Sequence, residues 1–138
     1  MMSTEIQAFA TGFPTTLIHA GISLGLLLVG CFLYGVLSPH KEARHVGEGN
    51  PASAVSLGGI IAGLAIPLAA SLNASTSPIE EAIWGGAIVV GMLLLFWIID
   101  IIMSGLPRRI REGEVPAAVL LVSAKMAAAL IVAAAVAG

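Results

Sequence analysis

The chain has 138 residues, of which 58% are hydrophobic and only 10% are charged, with a formal net charge of −2. A typical soluble domain has about 45–50% apolar and about 25% charged residues, so this chain has too few charges to cover a soluble surface. The composition therefore excludes a soluble enzyme domain and a disordered chain. Cys31 is the single cysteine, which excludes a disulfide scaffold, and the slightly acidic charge predicts no nucleic-acid partner.

Four apolar segments, bounded by charged residues, are each long enough to cross a bilayer as a helix, which takes about 20 residues. They cover residues 17–37, 52–72, 82–103 and 115–137. None shows the strict alternation of a transmembrane β-barrel strand. The sequence therefore predicts an all-α membrane protein of four transmembrane helices, forming one transmembrane domain over residues 1–138 whose partner is the lipid bilayer.

The basic residues predict the orientation in the membrane. Five of the six lie in the loop between the first two spans or in the loop between the last two: Lys41, Arg44, Arg108, Arg109 and Arg111. The N-terminal tail and the middle loop carry only acidic residues. The positive-inside rule places both basic loops in the cytoplasm, so both termini lie outside. The loops are expected to anchor to anionic lipid or, alternatively, to dock a cytoplasmic protein partner.

The two halves of the chain are weakly similar to each other. Residues 49–55 align with residues 113–119, with three of seven positions identical, and each stretch follows an apolar span, a proline and a basic segment. The pattern predicts a parallel two-helix repeat, covering about 17–72 and about 82–137, related by an axis along the membrane normal.

Both basic loops are predicted to form short helices at the membrane surface. In the first loop, Ser38 would cap the helix, Pro39 would be its first residue, and Gly47 or Gly49 would end it. In the second loop, the helix would start at Leu106–Pro107 and end at Gly113.

Lys125 is the most unusual residue, because it lies near the middle of the last span. A charge at that depth costs about 2.5–3.5 kcal/mol on insertion scales and is a candidate functional site by default. Asp100, near the end of the third span, is the natural partner. One interpretation is structural: Lys125 either forms an ion pair that orients two helices or extends its side chain toward the membrane surface. The other interpretation is a transport or proton-relay site.

A proline inside the second span predicts a helix break. Pro67 cannot donate a backbone hydrogen bond and clashes with the carbonyl of Gly63. It belongs to a stripe of small residues that lets another helix approach closely. The stripe consists of Ser56, Gly59, Gly63, Pro67 and Ala70. The hypotheses are a kinked packing interface and, alternatively, ion coordination by the freed carbonyl.

The remaining polar residues predict no catalytic, cofactor or metal site. His19 is expected at the outer membrane boundary, Tyr34 at the inner one, and His40 and His45 are poorly spaced for one metal ion. The phosphate-binding, nucleophile-elbow and metalloprotease motifs are missing from the sequence. The chain is therefore predicted to be non-enzymatic and to need no cofactor.

Several stretches of the chain resemble the YjfL-like bacterial inner-membrane proteins, catalogued as domain of unknown function 350. They are Leu37-Ser38-Pro39-His40 with Glu42, Gly49-Asn50-Pro51-Ala52-Ser53-Ala54, Gly58 and Gly63 ahead of Ile66-Pro67-Leu68, and Trp84-Gly85-Gly86. In the second half, Glu114 stands where an Asn would match. The resemblance implies a multi-pass inner-membrane protein built from a duplicated unit, in an envelope-stress setting, and it implies no activity.

Together these patterns predict a non-enzymatic, homo-oligomeric structural or scaffold component of the bacterial inner membrane. Small residues dominate the second and fourth spans and offer more close-packing surface than one four-helix unit can bury. The alternative is a small ion or solute channel or transporter that uses Lys125, Asp100 and the Pro67 break.

Overall fold

The structure is a computed structural model that describes residues 3–39 and 41–138. Its regular structure, within those residues, consists of six helices: α1 (Thr4–Leu37), α2 (Glu42–Gly47), α3 (Pro51–Ala74), α4 (Pro78–Ile102), α5 (Leu106–Arg111) and α6 (Val115–Ala137). Four of them, α1, α3, α4 and α6, are long and apolar enough to cross a membrane. The prediction of an all-α protein with four membrane-spanning helices is confirmed.

A side-chain cap followed by a proline begins two of the long helices. The Asn50 side chain accepts a hydrogen bond from the Ser53 amide at 3.1 Å, and Ser77 accepts one from the Glu80 amide at 3.2 Å. Each cap is followed by a proline at the start of the helix, where the missing amide hydrogen costs nothing. These local signals explain why α3 and α4 start within a few residues of the predicted spans.

The helix that contains the first predicted span begins well before residue 17, where the span was predicted to start. The helix α1 begins at Thr4, capped by Ser3, and runs 34 residues without interruption. Residues 4–18 are exposed, and the Phe9 and Phe13 rings stack with centroids 4.9 Å apart. Hydropathy located the apolar part of α1, but the threonines and glutamine before it are compatible with a helix that continues past the membrane boundary.

The helix α3 lies at the centre of the bundle and contacts α1, α4 and α6, and its closest pairing is with α6. A Cβ atom added at Gly59 would come within 2.6 Å of the Val122 side chain on α6, and one at Gly63 within 2.8 Å of the Phe96 ring on α4. The small-residue stripe therefore faces two helices of the second half of the chain. Its last member, Ala70, is only partly buried.

The helices α1 and α4 run parallel and touch through glycines. Gly30 on α1 faces Val89 on α4, with 3.3 Å from an added Cβ to the valine, and Gly85 on α4 faces Leu26 on α1 even more closely. Since residue 26 lies beside residue 85 and residue 30 beside residue 89, both helices advance in the same direction.

Chain connectivity places α2 and α5 at one end of the bundle, here called the basic end. The Asn50 amide donates hydrogen bonds to the carbonyls of Ile110 and Arg111, both at 3.0 Å, which joins the two loops. The turn formed by residues 75–77 lies at the opposite end.

The two basic loops have the same hydrogen-bonding pattern at an offset of 64 residues. The Gly49 amide bonds to the Val46 carbonyl and the Gly113 amide to the Ile110 carbonyl, both at 2.9 Å. Both glycines have φ of +88°, a conformation that L side chains rarely adopt. These glycines follow each short helix, as the sequence predicted.

The predicted start of the first short helix was wrong. Ser38 ends α1, with its amide bonded to the Tyr34 carbonyl at 2.8 Å, and α2 starts only at Glu42 after Lys41. The physical reason is that a residue before proline is driven into an extended conformation. Ser38, with φ of −71° and ψ of 126°, is therefore a stop for one helix rather than a cap for the next.

The apolar core lies between the four long helices. Phe96, Leu64 and Ile60 are fully buried in it, and Met92 is almost so. A second apolar cluster, including Ile110, Ala118 and Leu121, fixes α5 against α6 at the basic end.

Candidate functional site

The ammonium of Lys125 on α6 lies 2.8 Å from the carboxylate Oδ1 of Asp100 on α4. The lysine side chain is 1% exposed and the aspartate side chain 11%. Helical side chains lean toward the N-terminus of their helix, and α4 and α6 run in opposite directions. The two side chains therefore lean toward each other, which overcomes their difference in depth along the bundle.

Two aromatic rings cover the same lysine. The Nζ atom lies 5.8 Å from the centre of the Tyr34 ring and 5.6 Å from that of Phe96. An aromatic face attracts a cation, by about 2 kcal/mol or more where both are desolvated. The Lys125 charge is thus compensated by a carboxylate and by two rings from different helices, and it does not face an open channel.

Next to this pair lies a second buried acid, Glu42, at the start of α2. Tyr34 donates its hydroxyl hydrogen to Oε1 at 2.5 Å, and Ser38 donates to Oε2 at 3.2 Å. Glu42 is 6% exposed. Tyr34, which was predicted near the inner membrane boundary, has a ring that is 7% exposed and a hydroxyl bonded to a carboxylate, so its side chain faces the bundle interior and not the lipid.

A third buried acid lies at the opposite end of the bundle. Glu81 of α4, 1% exposed, is hydrogen-bonded to the His19 ring of α1, and it accepts a bond from Ser23 at 2.6 Å. Sequence reasoning placed His19 at the membrane boundary and gave it no partner. The available signal was the i, i+4 spacing of His19 and Ser23, which puts both on one face of α1.

Apolar residues separate the two ends. Glu81 and Asp100 lie on the same helix, roughly 28 Å apart along its axis at 1.5 Å per residue. Between these levels the bundle interior is filled by Leu64, Leu68 and Phe96, which are at most 3% exposed. The arrangement consists of two polar clusters with an apolar, buried core between them.

Pro67 is buried within α3 and does not lie at the level of the charged pair. Counted from the starts of α3 and α6, Pro67 lies about 9 Å further from the basic end than Lys125. The two features that the transport hypothesis combined are therefore at different depths.

Most of the basic residues at the basic end have acidic partners. Arg44 pairs with Glu48 at 3.4 Å, Arg108 with Glu112 at 3.5 Å and Arg109 with Glu114 at 2.7 Å. Within the described residues, the structure gives no ion pair to Lys41 or Arg111. Exposed pairs of this kind contribute only about 0–1 kcal/mol to stability, but they leave fewer free cations for anionic lipid than the sequence suggested.

The other candidate residues are not gathered into a chemical site. His45 contacts the Lys41 carbonyl at 3.0 Å, and His40 lies outside the described residues. In residues 3–39 and 41–138, no three side chains of the metal-binding types lie close enough to hold an ion. Ser123 donates to the Val119 carbonyl of its own helix at 2.7 Å, so its hydroxyl is not paired with a base.

Comparisons with known proteins agree with a membrane bundle of this kind. The chain is 28% identical over 107 residues to the UPF0719 inner membrane protein YjfL of Escherichia coli K12, covering 77% of this chain and 80% of that protein. The same identity and coverage hold for the protein of that name from Escherichia coli O157:H7. No solved structure is significantly similar. With this relative and four membrane-spanning helices, the chain is a multi-pass inner-membrane protein. The family model of the Domain of Unknown Function DUF350 matches residues 8–136, and the chain therefore belongs to the DUF350 family.

Proposed function

We propose that this protein is a non-enzymatic, non-conducting structural component of the inner membrane that works as a homo-oligomer. The observation that carries the proposal is the direct contact of Lys125 with Asp100, 2.8 Å apart and almost fully buried. A charge that served transport would have to exchange its partner for a substrate or water. Here, the charge joins α4 to α6 beneath two aromatic rings.

The geometry favours a structural role for this pair on energetic grounds. Removing one partner of a buried ion pair costs about 3–5 kcal/mol, because the other charge is left uncompensated. Removing both is often neutral. The pair therefore specifies which helices meet, and at which level, more than it adds net stability.

The proposal includes an orientation. The basic end faces the cytoplasm and both termini face the other side, in keeping with the positions of the five loop cations and with the acidic tail and middle loop. The common hydrogen-bonding pattern of the two basic loops, 64 residues apart, supports their origin as a two-helix repeat.

Self-association is proposed for the faces that the bundle leaves open. In the 18-residue apolar stretch of each span, only 11% of the residues of α1 and 17% of those of α6 are buried inside the bundle, against 44% for α3. Near the C-terminal end of α6 the exposed residues include Ala127, Ala134, Ala135 and Ala137, and small side chains allow close approach of a second helix. Both features support contacts between copies.

A channel or transporter is the second candidate. The observation in its favour is the presence of polar clusters at both ends, around Glu81 and around Asp100. The layer of buried apolar side chains between them argues against it, because an ion crossing that layer would lose its hydration without gaining protein ligands.

Flux measurements separate the two functions. Protein reconstituted in liposomes should show no proton or potassium flux above that of empty liposomes, and the Lys125→Met variant should behave the same. In parallel, mass measurement in native nanodiscs should give a multiple of the 14.0 kDa chain. Flux that depends on Lys125 would make the transporter the leading function, and a monomer would refute the oligomeric scaffold.

A further inference from the structure

A small cavity lies at the basic end, where the two short helices α2 and α5 meet α3 and α6. Its volume is about 10 Å³. The smallest cavities that hold a water have about 10–15 Å³, so this one has the size for a single water and excludes a larger ligand. Four polar side chains line it: Glu42 of α2, Ser53 and Ser56 of α3, and Arg111 of α5.

The Ser53 hydroxyl is the group in this cavity that needs a partner. Ser53 is 1% exposed, and its Oγ atom has no hydrogen bond within the described residues. Buried polar side-chain atoms in folded proteins are bonded, with few exceptions, either to protein groups or to ordered water. Ser56 lies three residues further along, on the same face of α3, and brings a second buried serine to the cavity wall.

The Glu42 carboxylate supplies hydrogen-bond acceptors on another wall. A carboxylate has about four acceptor positions. Among residues 3–39 and 41–138, it accepts two hydrogen bonds, from Tyr34 and from Ser38. Neither of these donors lines the cavity, so the cavity adjoins a part of the carboxylate that they leave open.

The charges around the cavity balance each other. Glu42 and Arg111 both line it, and in the part of the chain that the structure describes no ion pair joins them. A cation in this space would meet the guanidinium and an anion would meet the carboxylate, so the charges favour a neutral ligand that both donates and accepts. Water is such a ligand, and a water that bridges two polar groups is nearly as favourable in enthalpy as a direct hydrogen bond.

We propose that this cavity binds one water molecule, which donates hydrogen bonds to Glu42 and Ser56 and accepts one from the Ser53 hydroxyl. Three hydrogen bonds are typical of a buried water. Arg111 belongs to the second half of the chain, so the water extends the polar junction that the Asn50 side chain forms between the two basic loops. The site does not depend on whether the protein is a scaffold or a transporter.

The sign of a stability change tests the water. Ser53→Ala removes one ligand of the water and should lower the thermal unfolding temperature in nanodiscs by a few degrees. If the hydroxyl were simply unpaired, its removal would relieve the cost of a desolvated polar group and raise that temperature. A Ser53→Ala variant as stable as the wild type, or more stable, would overturn the proposal.

Ser71→Ala is the matched control. Ser71 is also buried on α3, its hydroxyl also has no hydrogen bond among the described residues, and it does not line the cavity. Its replacement should leave the unfolding temperature unchanged or raise it. An equal loss of stability in Ser53→Ala and Ser71→Ala would show that the cavity makes no difference and would contradict the proposal.

Proton NMR of methyl-labelled protein in nanodiscs detects the water directly. Ile110 and Leu121 line the cavity and are at most 3% exposed, so their methyl groups should show cross-relaxation with a long-lived water. Leu64, which is buried in the apolar core, should show none, and its unshifted signal reports that a variant is folded. Absence of the water signal at both cavity residues in the wild type would refute the site.

Ser53→Thr separates a bound water from exchange of the serine hydroxyl. This variant keeps a hydroxyl but adds a methyl group to a cavity the size of one water, so it should abolish the water signal at Leu121. A signal that persists in Ser53→Thr would come from the hydroxyl and would count against the water.

The last arm distinguishes water from a bound cation. The unfolding temperature of the wild type should be the same in sodium, potassium and choline chloride at equal ionic strength. Stabilisation by sodium or potassium that disappears in Ser53→Ala would assign the cavity to a cation and contradict the proposal.

Discussion

Gly59 on α3 lies directly against Val122 on α6, with so little space that a Cβ atom at residue 59 would be 2.6 Å from a valine methyl. Because α3 packs more extensively against α6 than against any other helix, this contact sets the spacing between the two halves of the chain. The packing of the bundle therefore depends on a residue without a side chain.

Replacing Gly59 by leucine should destabilise the fold, because the added side chain forces α3 and α6 apart. Overpacking of this kind costs about 1–3 kcal/mol, and the lower thermal unfolding temperature in detergent would report it. Gly58→Leu is the matched control, since an added Cβ at residue 58 has no neighbour within 4 Å. If the two variants are equally stable, the close α3–α6 contact does not exist in the membrane protein.

Single neutralisations of the Lys125–Asp100 pair should each destabilise the protein by about 3–5 kcal/mol, and the double variant should be milder. The variants are Lys125→Met and Asp100→Asn, and the double-mutant cycle measures the coupling between them from equilibrium unfolding in mixed micelles. Additive effects would show that the two side chains do not interact.

Loss of His19 should weaken the attachment of α1 to α4. In His19→Leu, the buried Glu81 keeps only the bond from Ser23, and the loss of a hydrogen bond to a charged group costs about 1.5–3 kcal/mol. Thermal unfolding and protease cleavage of α1 would both detect the change. Thr16→Leu, one turn earlier on the exposed part of the same helix, is the control and should be close to wild type.

Tyr34→Phe separates the two contacts of this tyrosine. The ring that covers Lys125 remains, while Glu42 loses its hydrogen bond of 2.5 Å. A buried acceptor left without its donor costs about 1–3 kcal/mol, measured as a shift in unfolding free energy. Ser38→Ala removes the longer bond of 3.2 Å to the same carboxylate and should cost less. An unchanged free energy of unfolding in Tyr34→Phe would mean that water replaces the hydroxyl and that Glu42 is accessible to water.

The proposed orientation is tested by cysteine labelling in a Cys31→Ala background, which has no other cysteine. Cysteines at Glu5 and Ala74 should react with a membrane-impermeant maleimide from the outer side, and one at Glu48 only after permeabilisation. All three residues are exposed in the bundle, so accessibility depends on the side of the membrane. Labelling of Glu48 and Ala74 from the same side would contradict the topology.

Hydropathy and charge predicted the four spans and the membrane location because these properties depend on composition along the chain. A helix in lipid must satisfy its backbone internally, so about 20 apolar residues are enough to indicate a span. The starts of α3 and α4 were equally predictable, since the Asn50 and Ser77 caps are followed directly by prolines. The Gly49 and Gly113 stops are local signals of the same kind.

The partners of the buried polar residues were decided by the tertiary structure. In the sequence, Glu81 looks like one of two acidic residues in a surface turn. His19 and Ser23 are about 60 residues away in sequence, and the parallel packing of α1 on α4 brings them to Glu81. Tyr34 and Glu42 meet because α1 continues to Leu37 before the chain turns. Such contacts depend on the rotation of each helix about its axis. That rotation is set by the positions at which Gly30, Gly59 and Gly85 allow another helix to approach closely. The order of apolar residues along the chain does not specify it.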